Sequence, residues 1–243
     1  MIKFNEVTWY SKLAAIIFFI AIVPILAFYI GARYQEVKDI NKVMIQMQNN
    51  TLVDNKNEVD SKEIMEVGKL VLTALKNKDY FTLNNLTSSE GLTVSLTPYK
   101  IFDPETAWTY GDKDEFQATT SAKKNFSKEE VLNIGKSSMQ YVYGNTDGKG
   151  DTIIGTTQYF FDKWVYNHDY LNAPEITLNN VREGGNSVKT IKNDVGSRDF
   201  ILYYFPGFKE EFKGFDWTSM YLVFEKENGE YKLRAIVKDN WTI

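Results

Sequence analysis

From Leu13 to Ile30 the chain reads LAAIIFFIAIVPILAFYI, eighteen residues without a charge. As a helix rising 1.5 Å per residue the run covers about 27 Å, close to the ~30 Å hydrocarbon core of a bilayer. Trp9 and Tyr10 precede it and Tyr29 and Tyr34 close it, in the manner of interfacial aromatic belts. Pro24 is tolerated in membrane helices. A cleaved signal peptide has a shorter apolar stretch of about 7–15 residues and a small-x-small cleavage site. Ile30-Gly31-Ala32 sets a bulky residue at the first of those positions. The expectation is therefore one uncleaved transmembrane helix, Leu13–Ala32, after a short cytoplasmic N-terminus at residues 1–12. Lys3 and Lys12 before it, against Arg33, Lys38 and Lys42 after it, leave the positive-inside rule nearly balanced. A short leader, one span and a large following domain predict a single-pass protein of the cell membrane whose C-terminal domain is extracytoplasmic.

Beyond the span, Val37, Ile40, Met44 and Met47 recur at helical spacing, and residues 49–60 (NNTLVDNKNEVD) are polar and Asn-rich. Residues 33–60 thus read as a stalk and linker, and 61–243 as one α+β domain. Asp60 and Glu63 have the spacing of a capping box ahead of a helix over Ser61–Asn77, whose apolar face is Ile64, Val67, Val71, Ala74 and Leu75. A second short helix is expected at Tyr80–Leu86 and a strand near Gly91–Leu96. Ser127-Lys-Glu-Glu130 caps another short helix, followed by a strand near Met139–Tyr143. Thr157–Trp164 reads as helix and Ile176–Val181 as strand.

The C-terminus carries the strongest local signal. Asn228-Gly229 sits between two alternating runs, and both residues accept the positive φ of a type I′ turn. A two-residue loop sets Phe224 opposite Leu233, Leu222 opposite Ala235 and Met220 opposite Val237 on one face, with Glu225 meeting Lys232 on the other. Phe200–Phe205 is expected as a third strand of the same sheet.

The chemistry available is narrow. Cysteine is absent, which removes disulfides, thiol catalysis and thiolate metal sites. His168 is the only histidine, so two-histidine metal motifs are impossible, and no metal or cofactor site is expected. A net charge of −4, with Lys123-Lys124 the only basic doublet, argues against a nucleic-acid partner. Residues 145–151 (NTDGKGD) imitate a calcium loop, but Lys149 occupies a ligand position and Thr156 stands where the bidentate Glu belongs. Ser121-Ala-Lys-Lys124 has the S-x-x-K spacing but lacks its companion motifs. The remaining candidates are His168 with Asp169, a base beside a carboxylate, and Asp216 and Asp239, acids near Trp217 and Trp241 that suit the mouth of a cavity. Each has a structural alternative: neighbours in extended chain point to opposite faces, and acids commonly close turns at strand ends.

The C-terminal runs Tyr203-Tyr-Phe-Pro-Gly-Phe208, Gly214-Phe-Asp-Trp217, Tyr221-Leu-Val-Phe-Glu225 and Lys238-Asp-Asn-Trp-Thr-Ile243 resemble a family of uncharacterised bacterial surface proteins, many of them lipoproteins. Val165-Tyr166 and Asp169-Tyr-Leu-Asn-Ala-Pro174 resemble its middle segment. The helix ending Ala74-Leu-Lys-Asn-Lys-Asp-Tyr80 is similar to the opening helices of nuclear-transport-factor-like domains. That likeness implies N-terminal helices over a curved, mainly antiparallel sheet with a cone-shaped pocket. Residues 4–15 resemble an N-terminal anchor found on varied proteins of candidate-phylum bacteria such as Parcubacteria. The functional expectation is a membrane-tethered extracytoplasmic module that binds an unknown protein or small-molecule ligand. The alternative is a cone-pocket hydrolase or isomerase using an acidic or histidine base.

Overall fold

The computed structural model describes residues 58–103, 111–112, 123–145, 152–182 and 190–241, together with Trp9, Val23, Pro24, Phe28, Gly31, Gln35, Lys38 and Lys42. The chain divides into two compact units, Met1–Val59 and Asp60–Ile243.

The structure does not bear out the expected transmembrane helix. Among the described residues no helix is long and apolar enough to cross a membrane. Of Leu13–Ala32 only Val23, Pro24, Phe28 and Gly31 are described; they have helical backbone, and the rest of the predicted span lies outside the described residues. An apolar run records only a preference to leave water. A span also needs about 20 residues of unbroken backbone hydrogen bonding. The longest described helix, α1 at residues 58–77, has that length but carries seven charged residues, from Glu58 to Lys76.

In the second unit the α+β class holds, with a mainly antiparallel sheet. Helix α1 is amphipathic: Ile64, Val71, Leu72 and Leu75 are buried while Leu70 and the charged positions face out. It already includes Glu58 and Val59, so Asp60 is not its cap; the Asp60 carboxylate pairs instead with Lys226 Nζ at 2.9 Å. Helix α2 is Tyr80–Leu86, capped by Asp79, whose side chain accepts from the Thr82 amide at 3.0 Å. Strands β1 (Leu92–Ser95), β2 (Gly111–Asp112) and β3 (Lys123–Phe126) follow. Helix α3 (Lys128–Leu132) has the expected capping box of Ser127 and Glu130. Next come β4 (Tyr141–Asn145), β5 (Thr152–Gly155) and α4 (Thr157–Phe160). Where one helix to Trp164 was expected, the backbone widens after Phe160 into a π-turn, Phe161–Val165. A 3₁₀ turn (Tyr170–Asn172), β6 (Glu175–Leu178), α5 (Ile191–Val195), β7 (Asp199–Phe205), a second 3₁₀ turn (Glu210–Phe212), β8 (Thr218–Glu227) and β9 (Glu230–Asn240) follow.

Six strands form one sheet in the order β3-β1-β9-β8-β7-β6, and three form a second, β2-β4-β5. Among the described residues every strand pairing is antiparallel except β1 with β9. The third strand of the hairpin sheet stands where expected, with Tyr203 opposite Met220. One sheet face, carrying Leu92, Val94, Ile201, Tyr203, Leu222, Phe224 and Ile236, shares a core with α1 and α2. The other face is not solvated. Phe200, Leu202, Tyr221, Val223, Ala235 and Val237 pack there with Ile101, Ile191 and Val195. The central strands are therefore apolar on both sides, which is why β8 reads as a nearly continuous hydrophobic run.

The hairpin turn is as expected, with Asn228 and Gly229 at φ of 53° and 89°. Phe224 faces Leu233 and Glu225 faces Lys232, but the register shifts between Phe224 and Val223. Val223 pairs with Ala235, which leaves Arg234 as the extra residue of a β-bulge. Beyond it Leu222 faces Ile236, not Ala235, and Met220 faces Lys238, not Val237. The Glu225–Lys232 ion pair does not form either. Lys232 bonds Glu230 at 2.9 Å, while Glu225 accepts from Ser88 Oγ and from Arg198 Nε at 3.0 Å.

Candidate functional site

At the end of the large sheet where β1 and β9 finish and β8 begins, a cavity of about 210 Å³ opens. Three parts of the chain build it. The π-turn and the bend after it supply Trp164, Asn167 and His168; the β7–β8 loop and the start of β8 supply Phe215, Asp216, Trp217 and Thr218. The ends of β1 and β9 supply Leu96, Asn240 and Trp241. The π-turn matters because its wider pitch rotates Trp164 and the following bend relative to the α-helical register. A second hollow of about 270 Å³, between Lys76, Lys78, Tyr80 and Asp162, is larger but its charges are already paired. Lys76 bonds Asp169 at 2.8 Å and Lys78 bonds Asp162 at 2.7 Å. The aromatic cavity is the better candidate because its wall sets the rings of Trp164, Phe215, Trp217 and Trp241 beside converging polar groups.

Of the residues singled out from sequence, His168 and Asp216 meet in this cavity, and Asp169 and Asp239 do not join them. The His168 ring stacks on Phe208 with centroids 4.3 Å apart, and its edge neighbours are Tyr170 and Phe205. Burial among these rings lowers its pKa below the ordinary histidine range. Asp169 turns away. It accepts from Lys76 at 2.8 Å, Asn172 at 2.7 Å and Tyr166 at 3.2 Å, and these bonds, that from Lys76 first, hold its carboxyl below the usual range. The candidate His168–Asp169 pairing does not form, in keeping with the alternative that chain neighbours face apart: Asp169 bonds Lys76, Asn172 and Tyr166 instead. Asp216 Oδ2 accepts from the backbone amides of Phe208 and Lys209 at 3.0 and 2.8 Å, so this acid ties the β7–β8 loop together. Its Oδ1 and the Trp164 indole nitrogen are buried with no hydrogen-bond partner among the described residues. Asp239 is buried in β9 opposite Ser219, whose hydroxyl donates to the Asp239 carbonyl at 3.3 Å. Among the described residues no group of three or more acids and histidines is placed to hold a metal ion.

One residue had no motif to announce it. Lys238 is 1% exposed, and its amine contacts the Tyr170 hydroxyl and, at 3.2 Å, Thr218 Oγ1. Tyr170 Oη lies 3.2 Å from Thr218 Oγ1 and donates to Asn167 Oδ1 at 3.0 Å. The bulge at Arg234 puts Lys238 here: without it, Lys238 would pair with Ser219 and point into the opposite core. Burial pushes the Lys238 ammonium well below the ordinary lysine range, with the Asp239 charge opposing it weakly.

A pH dependence follows. Between its lowered folded pKa and the unfolded value near 10.5, Lys238 binds a proton in the unfolded chain but not in the folded one. Stability must therefore rise with pH across that window and flatten above it. Lys238→Met removes the effect, so the stability of the wild type relative to this variant should increase from pH 7 to pH 10 in denaturant melts. Buried Tyr203 and Tyr221 resist ionisation above the ordinary tyrosine range, so their opposing contribution begins only above pH 10. A wild-type advantage that shrinks over this interval would contradict a neutral buried amine.

Compared with protein-family models and with curated proteins, the chain matches none.

Proposed function

We propose that the domain of residues 60–243 binds a small molecule in the cavity at the end of its large sheet, and that binding rather than acid–base chemistry by a histidine or carboxylate is the role of this surface. The observation behind the reading is the composition of the wall. Three tryptophans and a phenylalanine surround Asn167, Asp216, Thr218 and Asn240. Aromatic faces supply area at little entropic cost, and a few polar groups fix orientation. A volume of about 210 Å³ falls below the ~300–1,000 Å³ of drug-sized sites, so the ligand is small, with an apolar face and hydrogen-bonding groups. The histidine- or acid-base alternative is less well supported: Asp216 already bonds two amides, and His168 is held against Phe208.

Three of the five tryptophans line the cavity, so intrinsic fluorescence reports on it directly. The full chain titrated with a panel of monosaccharides and small aromatic alcohols should show saturable quenching by at least one compound, with a matching rise in melting temperature. Trp241→Ala should weaken that response at least about tenfold, the ~1.4 kcal/mol expected of a lost aromatic contact. A response undiminished by Trp241→Ala and by Trp217→Ala would place the binding elsewhere.

A further inference from the structure

We propose that Thr218 and Lys238 form a nucleophile–base pair in the wall of this cavity, and that its substrate is a small ester or activated acyl compound. The proposal uses the same cavity as the binding reading but goes beyond it, since it assigns a covalent step.

Thr218 lines the cavity, and its hydroxyl is 3.2 Å from a lysine amine that lies behind it, away from solvent. Both polar contacts of that amine, Tyr170 and Thr218, are hydroxyls. An ammonium sealed there would exchange its hydration for neutral oxygens, so the site favours the amine. A neutral amine has two hydrogens and one lone pair, and the neighbours fit that form in one consistent arrangement. Lys238 Nζ stands 3.2 Å from Thr218 Oγ1, close enough for the threonine hydroxyl to turn its proton toward the lone pair of a neutral amine, while Lys238 donates to the Tyr170 oxygen and Tyr170 donates to Asn167 Oδ1. The relay starts and ends on residues that line the cavity, Thr218 and Asn167, and Thr218, at 3% exposed, is buried together with Tyr170 and Lys238. Hydroxyl nucleophiles need an adjacent base, and a desolvated lysine is one.

In the reaction, Thr218 Oγ attacks the acyl carbonyl carbon as its proton passes to Lys238 Nζ. The bond to the leaving group breaks, and Lys238 returns the proton to the departing oxygen. Water, deprotonated by the same amine, then hydrolyses the threonyl ester and restores both side chains. Tyr170 and Asn167 are positioning residues, which orient the amine without touching the substrate.

The test is 4-nitrophenyl acetate added to the full chain, followed by nitrophenolate release, intact mass and peptide mapping. The expected result is a burst with one acetyl group on Thr218. Its rate should rise with pH and level off well below pH 10.5. Thr218→Val should abolish the burst, Thr218→Ser should keep it, and Lys238→Met should slow it by about 100-fold or more. Circular dichroism melts establish that each variant is folded, and if Lys238→Met is not, the wild-type pH profile decides. Acetyl groups found only on lysines, a burst surviving in folded Thr218→Val, or a rate that climbs without levelling through pH 10 overturns the proposal. These outcomes leave the binding reading intact, because that reading is decided by ligand quenching of the tryptophans and its loss in Trp241→Ala and Trp217→Ala.

Discussion

Phe224→Ala should destabilise the protein by about 3–5 kcal/mol, the cost of removing a fully buried aromatic ring from a close-packed core. Phe224 has no exposed surface, faces Leu233 across the hairpin and meets the edge of the Tyr231 ring at 6.5 Å between centroids. It belongs to the cluster under α1 and α2, so the truncation leaves a void that neither helix nor sheet can close without moving the other. The neighbouring substitution is informative by contrast. Glu225→Ala removes no core volume but strips charge-assisted bonds from Ser88 and Arg198, with Arg234 Nε also 3.9 Å away. Its cost should be about 1.5–3 kcal/mol, above that of an exposed ion pair. Chemical denaturation of the full chain measures both. A Phe224→Ala loss below that of Glu225→Ala would mean that the assigned facing of β8 is wrong.

Gly91→Ala should cost a comparable amount, about 3–5 kcal/mol, from two sources that add: positive-φ strain and overpacking. Gly91 has φ of 89°, and a methyl group there would lie 2.4 Å from the Phe126 carbonyl oxygen. That oxygen is backbone in β3, held by pairing of Phe126 with Leu92, so it has no side-chain freedom with which to yield. The expected damage is local before it is global, and amides of β3 should exchange faster than those of β8 and β9. Gly196→Ala is the control. Its φ is 60° with nothing within 4 Å of the added methyl, so only the strain component remains, about 1–2 kcal/mol. Equal losses at the two glycines would show that conformational strain, not the close approach of β3, dominates at Gly91.

Much of the fold is legible in the chain because its signals are local. Ser127 and Glu130 cap α3 through atoms three residues apart, and Asn228-Gly229 turns the hairpin through its own φ values. The helix at Tyr80–Leu86 and the strand at β7 follow from local pattern in the same way, whereas the mainly antiparallel sheet is what the family resemblance implies. Residue type offers His168 as a base beside Asp169, and Asp216 and Asp239 as acids at a cavity mouth; the cavity brings together His168 and Asp216.

What the sequence alone does not decide is which distant segments cover one another. It shows β8 to be apolar, yet only the packing of Ile101, Ile191 and Val195 reveals that the sheet has a second buried face. Nor does an apolar run determine a membrane span, and no described helix is one. The bulge at Arg234 has the widest consequence. Residue alternation has a period of two, so one extra residue in β9 reverses the facing of everything beyond it. It carries Lys238 from the face of Ser219 to that of Met220, beside Tyr170 and Thr218. The alternation of side chains is written in the chain, but where it is interrupted depends on how β8, β9 and the segments against them pack, and that interruption sets the chemistry of the cavity wall.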